Sequence, residues 1–82
     1  MPSLREKRMI ERAIEEAAHN NPSLSLREMK DLVRRAKGQY PTVNPSLRKQ
    51  RQYKEIIDRG VGNTNLSLRK KRLAKEDVKS RI

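Results

Sequence analysis

The chain has 82 residues, which is enough for one domain at most. Charged residues make up 38% of it and its formal net charge is +11, so the composition favours a polyanionic partner: DNA, RNA or an anionic membrane surface. Because two tyrosines are the only aromatic residues and cysteine is absent, any core is thin and aliphatic, and disulfides and cysteine-based metal sites are excluded.

A short phrase, Ser-Leu-Arg followed by Glu or Lys, occurs four times along the chain. Its copies begin at Ser3, Ser25, Ser46 and Ser67, so the serines are 22, 21 and 21 residues apart. Serine is a favoured residue just before a helix, and the copies are therefore interpreted mainly as four helix starts. The alternative is a duplicated unit, or a short motif presented four times to a repetitive partner.

The first predicted helix covers residues 3–19. Ser3 followed by Glu6 is a capping-box pattern, which marks a helix start. Up to Pro22 the basic and acidic residues balance, which is more typical of a structural helix than of a binding surface. The apolar residues recur at helical spacing and predict its buried face: Met9, Ile10, Ala13, Ile14, Ala17 and Ala18.

The second predicted helix covers residues 25–37. Ser25 and Glu28 repeat the capping-box pattern, and Gly38 is a favourable helix stop with Lys37 before it. One apolar stripe predicts its buried face: Leu26, Met29, Leu32, Val33 and Ala36. A break is expected in the connector at Tyr40-Pro41, because a residue before proline avoids the helical region.

The third predicted helix covers residues 45–59. Asn44 is predicted as its cap, with Pro45 at the first helical position. Gly60 and the residues up to Asn63 are predicted to stop it. The side chains expected to face inward are Leu47, Tyr53, Ile56 and Ile57.

The last segment, residues 65–82, has a weak apolar period and a charge of +5 from seven basic and two acidic residues. It is predicted to be either a helix that frays toward Ile82 or a tail that orders on binding. Its apolar residues are Leu68, Leu73, Val78 and Ile82.

The predicted starts of the third and fourth helices are basic, although the helix dipole favours acidic side chains there. A phosphate bound at these starts would explain this, because free backbone N–H groups and added cations together favour an anion. The alternative is that basic residues are simply common in this chain. Gln52, which lies among these charges, has a side chain that can bond a base edge in the major groove.

The stretch from residue 24 to 61 resembles helix-turn-helix DNA-binding domains. Its opening Leu-Ser-Leu-Arg-Glu-Met is similar to the phrase before their first helix, and its later Thr-Val…Tyr-Lys-Glu-Ile-Ile-Asp-Arg-Gly-Val to the phrase that closes their recognition helix. Asp58-Arg59-Gly60-Val61 is similar to the end of that helix in winged-helix domains. The resemblance covers about half of the chain and implies that the third helix reads the nucleic acid.

We therefore predict an all-α fold: a helical domain of residues 1–64 with a helix-turn-helix-like core, followed by a basic C-terminal helix or tail of residues 65–82. A sequence-reading or architectural DNA-binding protein, such as a small regulator of transcription or replication, is the expected function. Duplex DNA is favoured over RNA, and a homodimer is plausible. The predicted contact residues are Asn44, Ser46, Arg48, Lys49, Arg51, Gln52, Arg59, Arg69, Lys70, Lys71 and Arg72.

Two other functions stay open: an RNA-binding or ribosome-associated protein, and a structural protein that uses the four Ser-Leu-Arg copies on a repetitive partner, as in viral assembly. An enzyme is not expected, because His19 is the only histidine and neither a glycine-rich phosphate loop nor a metal-ligand cluster is present. The sequence predicts no cofactor. No apolar run is long enough for a membrane span or a secretory signal, so an intracellular protein of the cytoplasm, nucleoid or nucleus is expected.

Overall fold

The computed structural model describes residues 3–39 and 44–82, and these residues form four α-helices and no strand. The predicted all-α class is confirmed. The predicted break at Tyr40-Pro41 lies outside the described residues. The helices are α1 (Leu4–His19), α2 (Leu26–Ala36), α3 (Leu47–Gly62) and α4 (Leu68–Lys79).

The serine of each Ser-Leu-Arg copy caps the helix that follows it. The Ser25 hydroxyl accepts a hydrogen bond from the Glu28 backbone N–H at 3.2 Å, and the Glu28 carboxylate accepts from the Ser25 backbone N–H, which completes the predicted capping box. The Ser3 hydroxyl accepts from the Glu6 backbone N–H, also at 3.2 Å. The same contact recurs at Ser46 and Ser67.

The bounds predicted for the third helix are wrong at both ends. Its cap is Ser46, not Asn44, and its first residue is Leu47. This start leaves Pro45 outside the helix, where its missing N–H removes no hydrogen bond from the helix. At the other end Gly60 does not stop the helix, which continues through Gly62.

Helix α2 ends at Ala36, and Gly38, the predicted stop, follows its capping residue Lys37. This glycine has a φ of 82°, a left-handed conformation that side chains rarely adopt. The backbone N–H of Gln39 donates to the Arg34 carbonyl at 2.9 Å, and that of Gly38 donates to the Arg35 carbonyl at 3.0 Å. These two bonds form a Schellman motif, which satisfies carbonyl groups that the end of a helix leaves free.

The core lies where α1 packs against α2 and α3, and α4 packs against α3. Gly60 makes the contact between α1 and α3 possible: a Cβ atom there would lie 2.9 Å from the Ala13 carbonyl oxygen and 3.0 Å from the Ile14 Cα. The buried apolar residues are Ile10, Ile14, Ala17, Ala18, Leu24, Leu32, Ala36, Tyr53, Ile56, Ile57, Val61, Ala74 and Val78.

Leu26 and Leu47, which were predicted to face inward, are exposed, and so are Leu68 and Leu73 of the last segment. Three of these leucines are the first residues of α2, α3 and α4, and each lies six residues, or about 120° around the helix, from the first buried residue of that helix. In α4 the buried residues are Ala74 and Val78. The exposed fractions are 59% for Leu26, 76% for Leu47, 85% for Leu68 and 57% for Leu73.

Candidate nucleic-acid interface

Five of the predicted contact residues line one groove, of about 780 Å³, at the start of α3. Ser23, Leu47 and Glu55 complete its lining. The other predicted residues lie elsewhere: Asn44 before the cap, Arg59 near the end of α3, and the rest in the first two turns of α4. The five in the groove are Ser46, Arg48, Lys49, Arg51 and Gln52.

The cations of this groove fall into two kinds. Lys49 is held internally, because its ammonium forms an ion pair with Glu28 of α2 and donates to the Gln52 side-chain oxygen at 2.9 Å. This ammonium, together with the Ser25 backbone N–H and hydroxyl, holds the pKa of Glu28 below its usual value. Arg48 and Arg51 are exposed and form no hydrogen bond or ion pair with any described residue.

Most of the predicted contact residues of α4 have internal partners. Lys70 forms an ion pair with Glu6 of α1 at 3.4 Å, and Lys71 donates to the Gly62 carbonyl at 2.9 Å. Arg72 lies 3.9 Å from Glu76. Arg69 has no such partner in the part of the chain that the structure describes. The basic start of α4 therefore has a structural role, since it binds α1 and the carbonyl end of α3.

Comparison with known proteins does not identify a family for this chain. No family model, curated protein or solved structure matches this chain. Its interpretation therefore rests on the chemistry of the described residues. No helix among them is long and apolar enough to cross a membrane. They also contain no group of three His, Cys, Asp or Glu residues that could hold a metal ion.

The repeat in the sequence is longer than the Ser-Leu-Arg phrase that was recognised from the sequence alone. In every helix the first residue is Leu, the second Arg, the third Glu or Lys, the fifth Arg or Lys, and the seventh is buried. The basic fifth residue, five positions after each serine, was the signal that could have been found. The cations at the second and fifth residues are all exposed: Arg5, Arg8, Arg27, Lys30, Arg48, Arg51, Arg69 and Arg72.

A polar cluster that links α2 and α3 was also not predicted from the sequence. The Tyr53 hydroxyl donates to the Asp31 carboxylate at 3.0 Å, and Arg35, which is 3% exposed, donates to the same carboxylate at 3.2 Å. Burial, together with the hydrogen bond to Asp31, raises the pKa of Tyr53. The cluster links α3 to α2 one turn beyond the Lys49–Glu28 pair.

Proposed function

We propose that the protein binds nucleic acid, with duplex DNA favoured, through the groove at the start of α3. The observation that carries this proposal is the pair Arg48 and Arg51, which is exposed, has no ion-pair partner among the described residues, and lies beside Ser46 and Gln52. Two arginines three residues apart lie on one side of a helix, where they can contact neighbouring phosphates.

The remaining groove residues support the same chemistry. The Gln52 amide group retains its N–H donors, because its oxygen is the atom that accepts from Lys49. A donor at this position suits a base edge or a phosphate oxygen. Within this proposal the protein acts as a small regulator of transcription or replication. RNA as the ligand remains the second proposal.

The test is fluorescence anisotropy with a labelled DNA duplex and a structured RNA, over a series of salt concentrations. Wild type is compared with Arg48→Ala/Arg51→Ala. The control is Arg34→Ala/Lys37→Ala, which removes two exposed cations at the end of α2 and so loses the same charge. We expect the groove variant to bind at least tenfold more weakly and to lower the slope of log affinity against log salt by about 2, one per lost phosphate contact.

The control variant should retain most of the wild-type affinity and slope. If both variants lose affinity equally, binding follows net charge and the groove is not the site. If wild type binds neither duplex nor RNA at moderate salt, the proposal of a nucleic-acid ligand is wrong. Tighter binding to the RNA than to the duplex would replace duplex DNA by RNA as the ligand.

A further inference from the structure

The four helix starts are joined in two pairs. Lys70, the third residue of α4, pairs with Glu6, the third residue of α1. Lys49, the third residue of α3, pairs in the same way with Glu28, the third residue of α2. We call residues 4–8 and 68–72 the first end of the molecule, and residues 26–30 and 47–51 the second end.

At the first, second and fifth positions of their helices, the two ends carry the same kinds of exposed side chains. At these positions each end has two leucines, which are between 59% and 85% exposed, and four exposed cations, while the first end also has exposed lysines at positions 7 and 70. Of the eight cations at the shared positions, Arg72 alone forms an ion pair with another described residue. The first end has Leu4, Leu68, Arg5, Arg8, Arg69 and Arg72; the second has Leu26, Leu47, Arg27, Lys30, Arg48 and Arg51.

Folding explains only some of these shared residues. The serine caps the helix, the third residue forms the ion pair and the seventh is buried. An exposed leucine contributes little to a core, and an arginine in the first turn is opposed by the helix dipole. Leucine and arginine nevertheless recur at the first and second residues of all four helices. Their recurrence fits a partner that offers anionic groups beside apolar surface, as the phosphates, sugars and grooves of a nucleic acid do.

The two ends lie at opposite ends of the chain path through α1 and α3. Helix α1 runs from the first end and is about 24 Å long at 1.5 Å per residue, and α2 begins six residues after it finishes. Helix α3 has the same length, runs from the second end, and is followed after five residues by α4. Each of these two helices therefore begins at one end and leads toward the other, and the longest extent of the molecule is 31 Å.

The first end has a groove of its own. Its volume is about 410 Å³, and Arg5, Arg8 and Arg12 of α1 line it opposite Asn63 and Asn65 of the α3–α4 connection. Arg5 and Arg8 are the second and fifth residues of α1, the positions that Arg48 and Arg51 occupy in α3. Each end thus offers a groove with two arginines in the same helical register.

From these observations we infer that the protein bridges two segments of nucleic acid, with one segment bound at each end. This inference rests on the proposed function, because the second end is the site already proposed. It adds a second contact surface, on α1 and α4, and a role in holding two duplexes together.

The experiment uses two short duplexes, one with a donor dye and one with an acceptor. A duplex of about 12 base pairs is about 40 Å long, which is too stiff to bend around to both ends. Wild type at one protein per two duplexes should give energy transfer and a sedimenting complex of one protein with two duplexes. Excess protein should abolish the transfer, because each duplex then occupies a separate molecule.

Two variants decide whether bridging uses both ends. Arg5→Ala/Arg8→Ala should retain binding of one duplex at the second end and reduce the energy transfer at least tenfold. Arg48→Ala/Arg51→Ala should reduce the energy transfer to the same extent, because it weakens binding at the second end. The charge-matched Arg34→Ala/Lys37→Ala variant should still bridge. The Arg5→Lys/Arg8→Lys variant should retain most of the energy transfer, since phosphate contacts depend more on the positive charge than on the shape of the guanidinium group.

The outcomes separate the inference from the proposed function. If wild type binds no duplex, the bridging inference and the proposal of duplex DNA as the ligand are both wrong. If it binds one duplex without energy transfer, only the bridging inference is wrong. Bridging that survives in Arg5→Ala/Arg8→Ala would show that a dimer or diffuse charge holds the duplexes, and would overturn the inference. Clustering of vesicles that contain phosphatidylserine, with no bridging of duplexes, would assign the two ends to lipid instead.

Discussion

Gly60 is the residue at which a single added atom should have the largest effect. A methyl group at this position meets the backbone of α1 at Ala13 and Ile14, and backbone atoms cannot move aside as a flexible side chain does. We expect Gly60→Ala to lower the free energy of unfolding by about 1–3 kcal/mol, the usual cost of overpacking a core. Urea denaturation followed by far-ultraviolet circular dichroism measures the change.

Gly62 provides the matched control two residues later in the same helix. A Cβ atom there meets nothing within 4 Å, and its φ is not positive. Gly62→Ala should therefore leave stability unchanged or raise it by up to about 1 kcal/mol, because alanine favours the helix. Equal stability of the two variants would mean that α3 does not approach α1 as closely at Gly60 as the structure has it.

At the scale of elements, the ion pairs between helix starts should contribute measurable coupling. A double-mutant cycle with Glu28→Gln and Lys49→Gln should give about 0.2–1 kcal/mol for the Lys49–Glu28 pair, as for other partly exposed pairs. Glutamine at position 28 retains the capping-box geometry, so the cycle removes charge without removing the cap. The free energy of unfolding from urea titrations supplies each corner of the cycle.

The same cycle should depend on pH in one direction. The folded-state pKa of Glu28 is lowered, so the pair contributes fully above the unfolded pKa of about 4.5, and its contribution disappears as the pH falls through the folded value. The Glu6–Lys70 pair serves as the comparison. Its lysine side chain is 57% exposed, against 30% for Lys49, so its coupling should be smaller. Coupling at Glu28 that grows on acidification would contradict this account.

The sequence predicted three of the four helices, and left the last segment open as a helix or a tail, because the signals for the first three are local. Ser25 with Glu28 marks a start and Gly38 marks a stop, and both depend on hydrogen bonds within a few residues. The start of α3 was less certain in principle, since Asn44 and Ser46 are both good caps two residues apart. Ser46 is the residue whose hydroxyl accepts from the backbone of the first turn.

Features that depend on distant residues could not be predicted in the same way. The pattern of α3 does not say that α1 crosses it at Gly60, so this glycine was interpreted as a stop. Lys70 was assigned to phosphate because nothing in its neighbourhood shows that Glu6 lies beside it in the fold. The groove was predicted in part. Its five predicted residues are the cap and members of the first two turns of one helix, whereas Ser23 is distant in sequence and lies beside them only in the folded structure.

For the whole molecule, the charge of +11 should make salt act in opposite ways on folding and on binding. Added salt screens repulsion among the cations that have no partner, so the free energy of unfolding should rise between about 0.01 and 0.5 M NaCl. Nucleic-acid affinity should fall over the same range. Urea denaturation at each salt concentration tests the first statement. A steady fall in stability would mean that the ion pairs outweigh the repulsion.

The two pairs between helix starts have a consequence for how the chain selects one topology. Glu6 and Glu28 occupy the same position in their helices, and so do Lys49 and Lys70. The charges would therefore also allow an alternative assembly in which each glutamate pairs with the other lysine and the helices exchange neighbours. Only contacts that occur once in the fold can raise the energy of this alternative assembly above that of the native one. The close approach at Gly60 and the Asp31–Tyr53 hydrogen bond are such contacts, because exchange would press α1 against a side chain and leave the buried Tyr53 hydroxyl without its acceptor. A molecule with repeated starts thus acquires its uniqueness from two contacts that occur once.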